Sequence, residues 1–153
     1  MRPFPTTPAI DGQSVLPGAD FADAFARDLD ESIDAPEAAR RAFSGMPIWV
    51  RVVLALRNGL MAPFGLKTSG DSDRPHLGMF PVVSSTPARV VLGFDDRHLN
   101  FRIVVDVRDA DAGRRVTITT LVARHNLFGR AYLAAVMPFH KIIVPTSLAQ
   151  VAR

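Results

Sequence analysis

Between Arg89 and His140 the hydrophobic period of the sequence is two for three successive runs, then becomes helical. Ala88, Val90, Leu92 and Phe94 alternate with Arg89, Val91 and Gly93. From His98 to Arg108, Leu99, Phe101, Ile103, Val105 and Val107 share one face, and Asn100, Arg102, Val104, Asp106 and Arg108 the other. From Val116 to Val122, Val116, Ile118, Thr120 and Val122 point inward, against Thr117, Thr119 and Leu121. Such alternation specifies half-buried strands, and short Asp-rich connections (Asp95–Asp96–Arg97, then Asp109 to Gly113) make the three an antiparallel meander. Leu127 to Ala152 is helical in composition behind Asn126, an N-cap candidate; Pro138 and Pro145 are expected to kink or split it. A sheet with one apolar face that feeds directly into an apolar helix must bury that face against the helix.

The upstream chain supplies what closes this core. Met1 to Gly18 carries Pro3, Pro5, Pro8 and Pro17 and reads as an extended arm, laid along the body through Phe4, Ile10, Val15 and Leu16. It lacks the basic start, apolar stretch and cleavage site of a signal peptide. Residues 19–153 form one domain. Phe21, Phe25, Leu29 and Ile33 recur every four residues, which by periodicity alone favours a helix. Pro36 to Phe43 reads as a helix behind Asp34, a candidate cap. Pro47 to Met61 reads as a second, largely buried helix whose polar side is limited to Arg51, Arg57 and Asn58. It is too short and too charged for a transmembrane segment. Pro63 to His76 is loop, and Leu77 to Ser84 a strand that Pro81 drives towards an edge or a bulge.

Composition excludes several functions. With no cysteine, thiol catalysis and Cys-based zinc or iron–sulfur sites are ruled out, and a cytoplasmic protein is expected. The net charge of +3 comes from scattered arginines with few aromatics between them, which is not a nucleic-acid footprint. Neither a nucleic-acid partner nor a cofactor is expected.

LGFDDRHLNFR, VTITTLVARHN, Gly129–Arg130–Ala131–Tyr132 and MPFHKIIVP resemble a bacterial domain-of-unknown-function family, number 2867, from about Asp20 to the C-terminus. That family is similar to the START-type helix-grip superfamily, in which a curved antiparallel sheet wraps a long C-terminal helix. The resemblance implies an α+β fold with Asp20 to Leu29 as its first strand, against the local periodicity, and Pro36 to Met61 as a helical pair. A related segment follows short-chain-reductase-type domains elsewhere, but no dinucleotide fingerprint occurs here.

Candidate chemistry is sparse. Asp95, Asp96, His98 and His125 are metal-compatible residues, yet the known zinc spacings are absent and turn formation explains the aspartates, so no metal is expected. His125 and His140 invite an acid–base reading, but no nucleophile elbow or paired carboxylate accompanies them. Arg124 falls on the inward face and must reach solvent, pair with Asp95 or Asp96, or hold an anionic group. Helix-grip folds carry a concave site between sheet and helix; its lining here would be Phe94, Phe101, Ile103, Thr120, Arg124, Tyr132, Val136 and His140. Three functions follow. One is a binding module for a small apolar or amphipathic molecule. Another is a cavity enzyme (cyclase, dehydratase or hydrolase-like) using His125, His140 and Arg124. The last is an accessory domain with a filled core; of the three, the non-catalytic module is favoured. On the outer face Val91, Val104 and Leu121 form an apolar patch suited to a homodimer contact.

Overall fold

The computed structural model describes residues 2–8, 12–44, 48, 76–77, 80–95, 99–111, 113–125 and 127–151. The elements in order are β1 (Phe4–Thr6), α1 (Gly12–Val15), β2 (Phe21–Leu29), α2 (Ala35–Ser44), β3 (His76–Leu77), β4 (Phe80–Ser85), β5 (Arg89–Asp95), β6 (Leu99–Ala110), β7 (Gly113–Arg124) and α3 (Leu127–Gln150). All strand pairs are antiparallel, in the order β1-β2-β7-β6-β5-β4-β3. The architecture is α+β, a curved sheet with a C-terminal helix.

The meander forms as its alternation requires. Val90, Leu92, Val105, Val107, Val116 and Ile118 are buried together with Leu29 of β2, against α2 and the end of α3. Gly93 interrupts β5 with a φ of +146°, and a Cβ there would overlap the Phe101 carbonyl of β6, so only glycine fits this close approach. The β4–β5 register shifts between Val82 and Ser84, a bulge one pairing beyond Pro81. The strand expected over Leu77 to Ser84 is split between β3 and β4, with residues 78–79 outside the described ones.

Phe21 to Leu29 is a strand, as the resemblance implies and the four-residue periodicity does not. Its nine residues pair without interruption with Val122 to Arg114 of β7, and that ladder outweighs the local pattern. The helix expected over Pro36 to Phe43 is present as α2. Asp34 caps it, its Oδ1 accepting from the Glu37 amide at 2.9 Å. Ala35, Ala38, Ala39 and Ala42 recur at helical spacing and are wholly buried, so α2 approaches the sheet closely. The second helix expected from Pro47 to Met61, the turn at Asp96–Arg97, His98 and Asn126 lie outside the described residues.

The arm does lie on the body. β1 adds to the edge of β2, while Val15, Leu16 and Ala19 cover the outer face over Val91, Val104, Leu121 and Ala123. The apolar patch expected to serve a homodimer contact is therefore not on the surface: Val104 and Leu121 are fully buried by the chain's own arm.

α3 bends by 59° between Gly129–Ala135 and Met137–Gln150. The bend lies just before Pro138, whose ring displaces the carbonyl four residues back. Pro145 does not end the helix. No basic residue occupies the last turn of α3, and its terminal carbonyls are met from elsewhere. Arg27 of β2 donates to the Ala149 carbonyl at 2.8 Å and Arg41 of α2 to that of Val151 at 3.0 Å. Two cations from other elements thus cap the negative end of the helix.

Arg41 and Arg40 also hold Glu37 at 2.9 and 2.6 Å, and these bonds push the Glu37 carboxyl down to about 2. A depressed acid contributes stability that is complete above its unfolded value of 4.5 and is lost as pH falls through about 2. Glu37→Gln should therefore lower the urea midpoint at neutral pH. The difference from the parent chain should shrink as pH falls from 4.5 and vanish near about 2, as urea titrations across that range would show.

Candidate functional site

The concave face is not uniformly apolar. On β2 the alternation that turns Phe21, Phe25 and Leu29 towards α3 also turns Asp23 there, directly opposite Thr120 of β7. Asp23 meets His140 of α3, whose Nε2 lies 2.9 and 3.1 Å from the two carboxylate oxygens. The side chains are 25% and 14% exposed, so the pair is mostly shielded from water and screened less than a surface pair. The Phe21 ring stands edge-on to the imidazole, with centroids 6.4 Å apart and planes at 78°. Thr120 is buried at 8% exposure, and among the described residues its hydroxyl has no hydrogen-bond partner.

This polar row separates two apolar clusters. Phe21, Phe101, Val122, Leu133 and Met137 lie on one side. Phe25, Ile103, Ile118, Val144 and Leu148 lie on the other. A carboxylate, an imidazole and an unbonded hydroxyl thus converge between apolar walls. Buried hydroxyls nearly always have partners; among the described residues Thr120 lacks one on this face, as Thr119 does on the opposite face, and only Thr120 lies beside other polar side chains of the row.

The expected lining residues separate on inspection. Thr120 and His140 come together, with Phe101 and Ile103 in the clusters that flank them. Arg124 does not join them. It lies four residues along β7, about 13 Å from Thr120 at strand spacing. Among the described residues its partner is Asp20: Nε lies 3.1 Å from Oδ2, and the Arg124 amide donates to Oδ1 at 3.2 Å; the side chains of Asp95 and Asp96 lie outside the described ones. Asp20 immediately precedes β2, and the β2–β7 register brings it to the end of β7. His125 is exposed and bonded to the Asn100 Oδ1 at 3.0 Å. The trio His125, His140 and Arg124 is therefore not one constellation. Phe94 pairs with Phe101 across β5 and β6, and Tyr132 and Val136 belong to α3; their side chains lie outside the described ones.

Asp23 and Phe21 are absent from the expected lining because that lining is drawn from the meander and α3 alone, and the register of the first strand is set by its pairing with β7. Once 21–29 is taken as a strand, an aspartate between two inward phenylalanines is the signal that finds the site. Among the described residues, no group of three or more His, Asp or Glu side chains is placed to hold a metal. Grooves lined by described residues lie elsewhere on the sheet. One of about 510 Å³ between the ends of β2 and β6 is lined by Asp28, Asp30, Asp109, Asp111 and Arg115. There the hydrogen bonds of Arg115 hold the Asp28 carboxyl below its ordinary range. Another of about 340 Å³ flanks the Arg89–Asp106 ion pair, which joins β5 to β6.

The chain matches the family described as a protein of unknown function, DUF2867, over residues 15–147. It belongs to that family. No curated protein matches it. A structural-genomics protein from Rhodobacter sphaeroides is similar at 12% identity, over 88% of this chain and 93% of that one, with a TM-score of 0.42.

A double-mutant cycle tests the central pair. Asp23→Ala, His140→Ala and the double variant should give a coupling of about 1.5 kcal/mol at neutral pH, the low end of the range for a hydrogen bond to a charged group. Urea unfolding measures it, and additive effects would show that the contact contributes nothing.

Proposed function

We propose that the protein is a START-like, helix-grip binding module that takes a small apolar or amphipathic molecule between its sheet and α3. The polar end of the ligand would rest on Thr120, Asp23 and His140, and its apolar part against Phe21, Phe101 and Ile103. The observation that carries this reading is the unpartnered Thr120 hydroxyl beside the Asp23–His140 pair. A buried hydroxyl without a partner costs stability, and a ligand oxygen or nitrogen is the kind of group that would satisfy it. Apolar walls with a few convergent polar groups are what small-molecule sites generally offer.

The Asp23–His140 bond also supports a second reading, a cavity enzyme in which Asp23 orients His140 as an acid or base. Against it, Arg124 and His125 are committed to Asp20 and Asn100. A cyclase, dehydratase or hydrolase reaction would have to run on His140 and Thr120 without them.

The test is a thermal-shift panel of fatty acids and polycyclic aromatic compounds, with native mass spectrometry of the purified chain. A ligand of the native state raises the unfolding midpoint with concentration. Thr120→Val and His140→Ala should each weaken that ligand by about fivefold, one hydrogen bond's worth. A chain that carries and responds to nothing, or a ligand indifferent to both substitutions, would overturn the proposal. Turnover abolished by His140→Ala would move the assignment to the second reading.

A further inference from the structure

α3 has a second face. Its buried side holds Leu133, Ser147, Leu148 and Gln150, while Leu127, Ala131, Ala134, Ala135, Pro138 and Ile142 are exposed. At 3.6 residues per turn Leu127, Ala131, Ala134 and Ala135 fall within an arc of about 100° on the half before the bend, and Pro138 and Ile142 within about 40° on the half after it, an exposed stripe in two parts, both away from the buried side. Leu127 is 83% exposed and Ile142 54%, and Phe139, 50% exposed, borders the stripe on one side. Arg130 and Lys141 border it on the other; both are exposed, and eleven residues apart they lie within about 20° of each other. The 24 residues of α3 contain no acid.

We infer that this face docks the protein on an anionic lipid surface. Three large exposed apolar side chains, Leu127, Phe139 and Ile142, with alanines and a proline between them mark an interaction site, and charge chooses the occupant. Two cations along one flank, with no acid on the helix and a net charge of +3 on the chain, complement anionic headgroups. A second copy of the chain fits worse. Antiparallel pairing of two α3 helices centred on the exposed stripe, near Ala135, would bring Arg130 of each beside Lys141 of the other, two like-charge contacts with no acid on either helix to relieve them. Spanning a bilayer is a different matter: no single helix among the described residues is long and apolar enough to do so. α3 is bent by 59°, and its other side packs on β2, β7 and α2, so the helix would lie in the interface with only its outer side immersed. This inference rests on the outer side of α3, independently of any ligand on the inner side.

The experiment is vesicle flotation of the full chain, with phosphatidylcholine alone and with about 30 mol% phosphatidylglycerol. The chain should float with the anionic vesicles, and raised salt should release it. Arg130→Glu and Lys141→Glu should each lower the bound-to-free ratio by at least about fivefold. Phe139→Ser with Ile142→Ser should lower it further, and unchanged circular dichroism would confirm that these exposed positions leave the fold intact. No flotation, equal flotation with neutral vesicles, or binding that survives both pairs of substitutions would overturn the inference. So would a dimer in light scattering that Phe139→Ser with Ile142→Ser dissociates, which would give the face to a second copy.

Discussion

The rest of the structure depends on the pairing of β2 with β7. Nine consecutive residue pairs lock a segment that locally resembles a helix into an extended conformation. The register carries more information than the pairing, because a slip of one residue would turn every side chain to the opposite face. As built, it places Phe21, Phe25 and Leu29 in the core and carries Asp23 and Arg27 inward with them. Arg27 then reaches the carboxyl end of α3, and Asp23 reaches His140 near its middle. One ladder thus fixes the helix at two points and builds the polar row.

That row has a physical cost. A shielded carboxylate and a buried hydroxyl without a partner both oppose folding, and Leu or Val at these positions would fill the same space without desolvation. The two apolar clusters on either side would then merge into a continuous core. Polar groups kept against that advantage are characteristic of sites that hold something, where stability is given up for function. The row also faces the half of α3 that lies beyond the Pro138 bend, so the proline that breaks the helix also sets where His140 points.

Much of the fold was legible in the residues. Period-two alternation in β5, β6 and β7 assigned the correct inward set, including Val105, Val116 and Ile118, because that face of each strand packs against α2 and α3. Asp34, with Pro36 in the first turn, announced α2. What local pattern did not reveal came from long-range pairing. β2 is a strand because β7 is beside it, and nothing between Asp20 and Ile33 records that neighbour; only family resemblance supplied it. The register of that pairing, which no local pattern records, is also what brings Asp23 to His140 and Asp20 to Arg124, 104 residues away in sequence. The outer patch was misread for a related reason: Val91, Val104 and Leu121 look exposed until Leu16 is known to fold over them.

If Thr120 is kept for a ligand rather than for the fold, removing its hydroxyl should help the unliganded protein. Valine has nearly the same shape and carries no group that needs a partner. The most direct measurement is therefore the free energy of unfolding of Thr120→Val in urea, without ligand. It should match the parent chain or exceed it by about 1 kcal/mol. A loss of about 1 kcal/mol or more would show that the hydroxyl already has a structural partner, and the central claim about this site would fail.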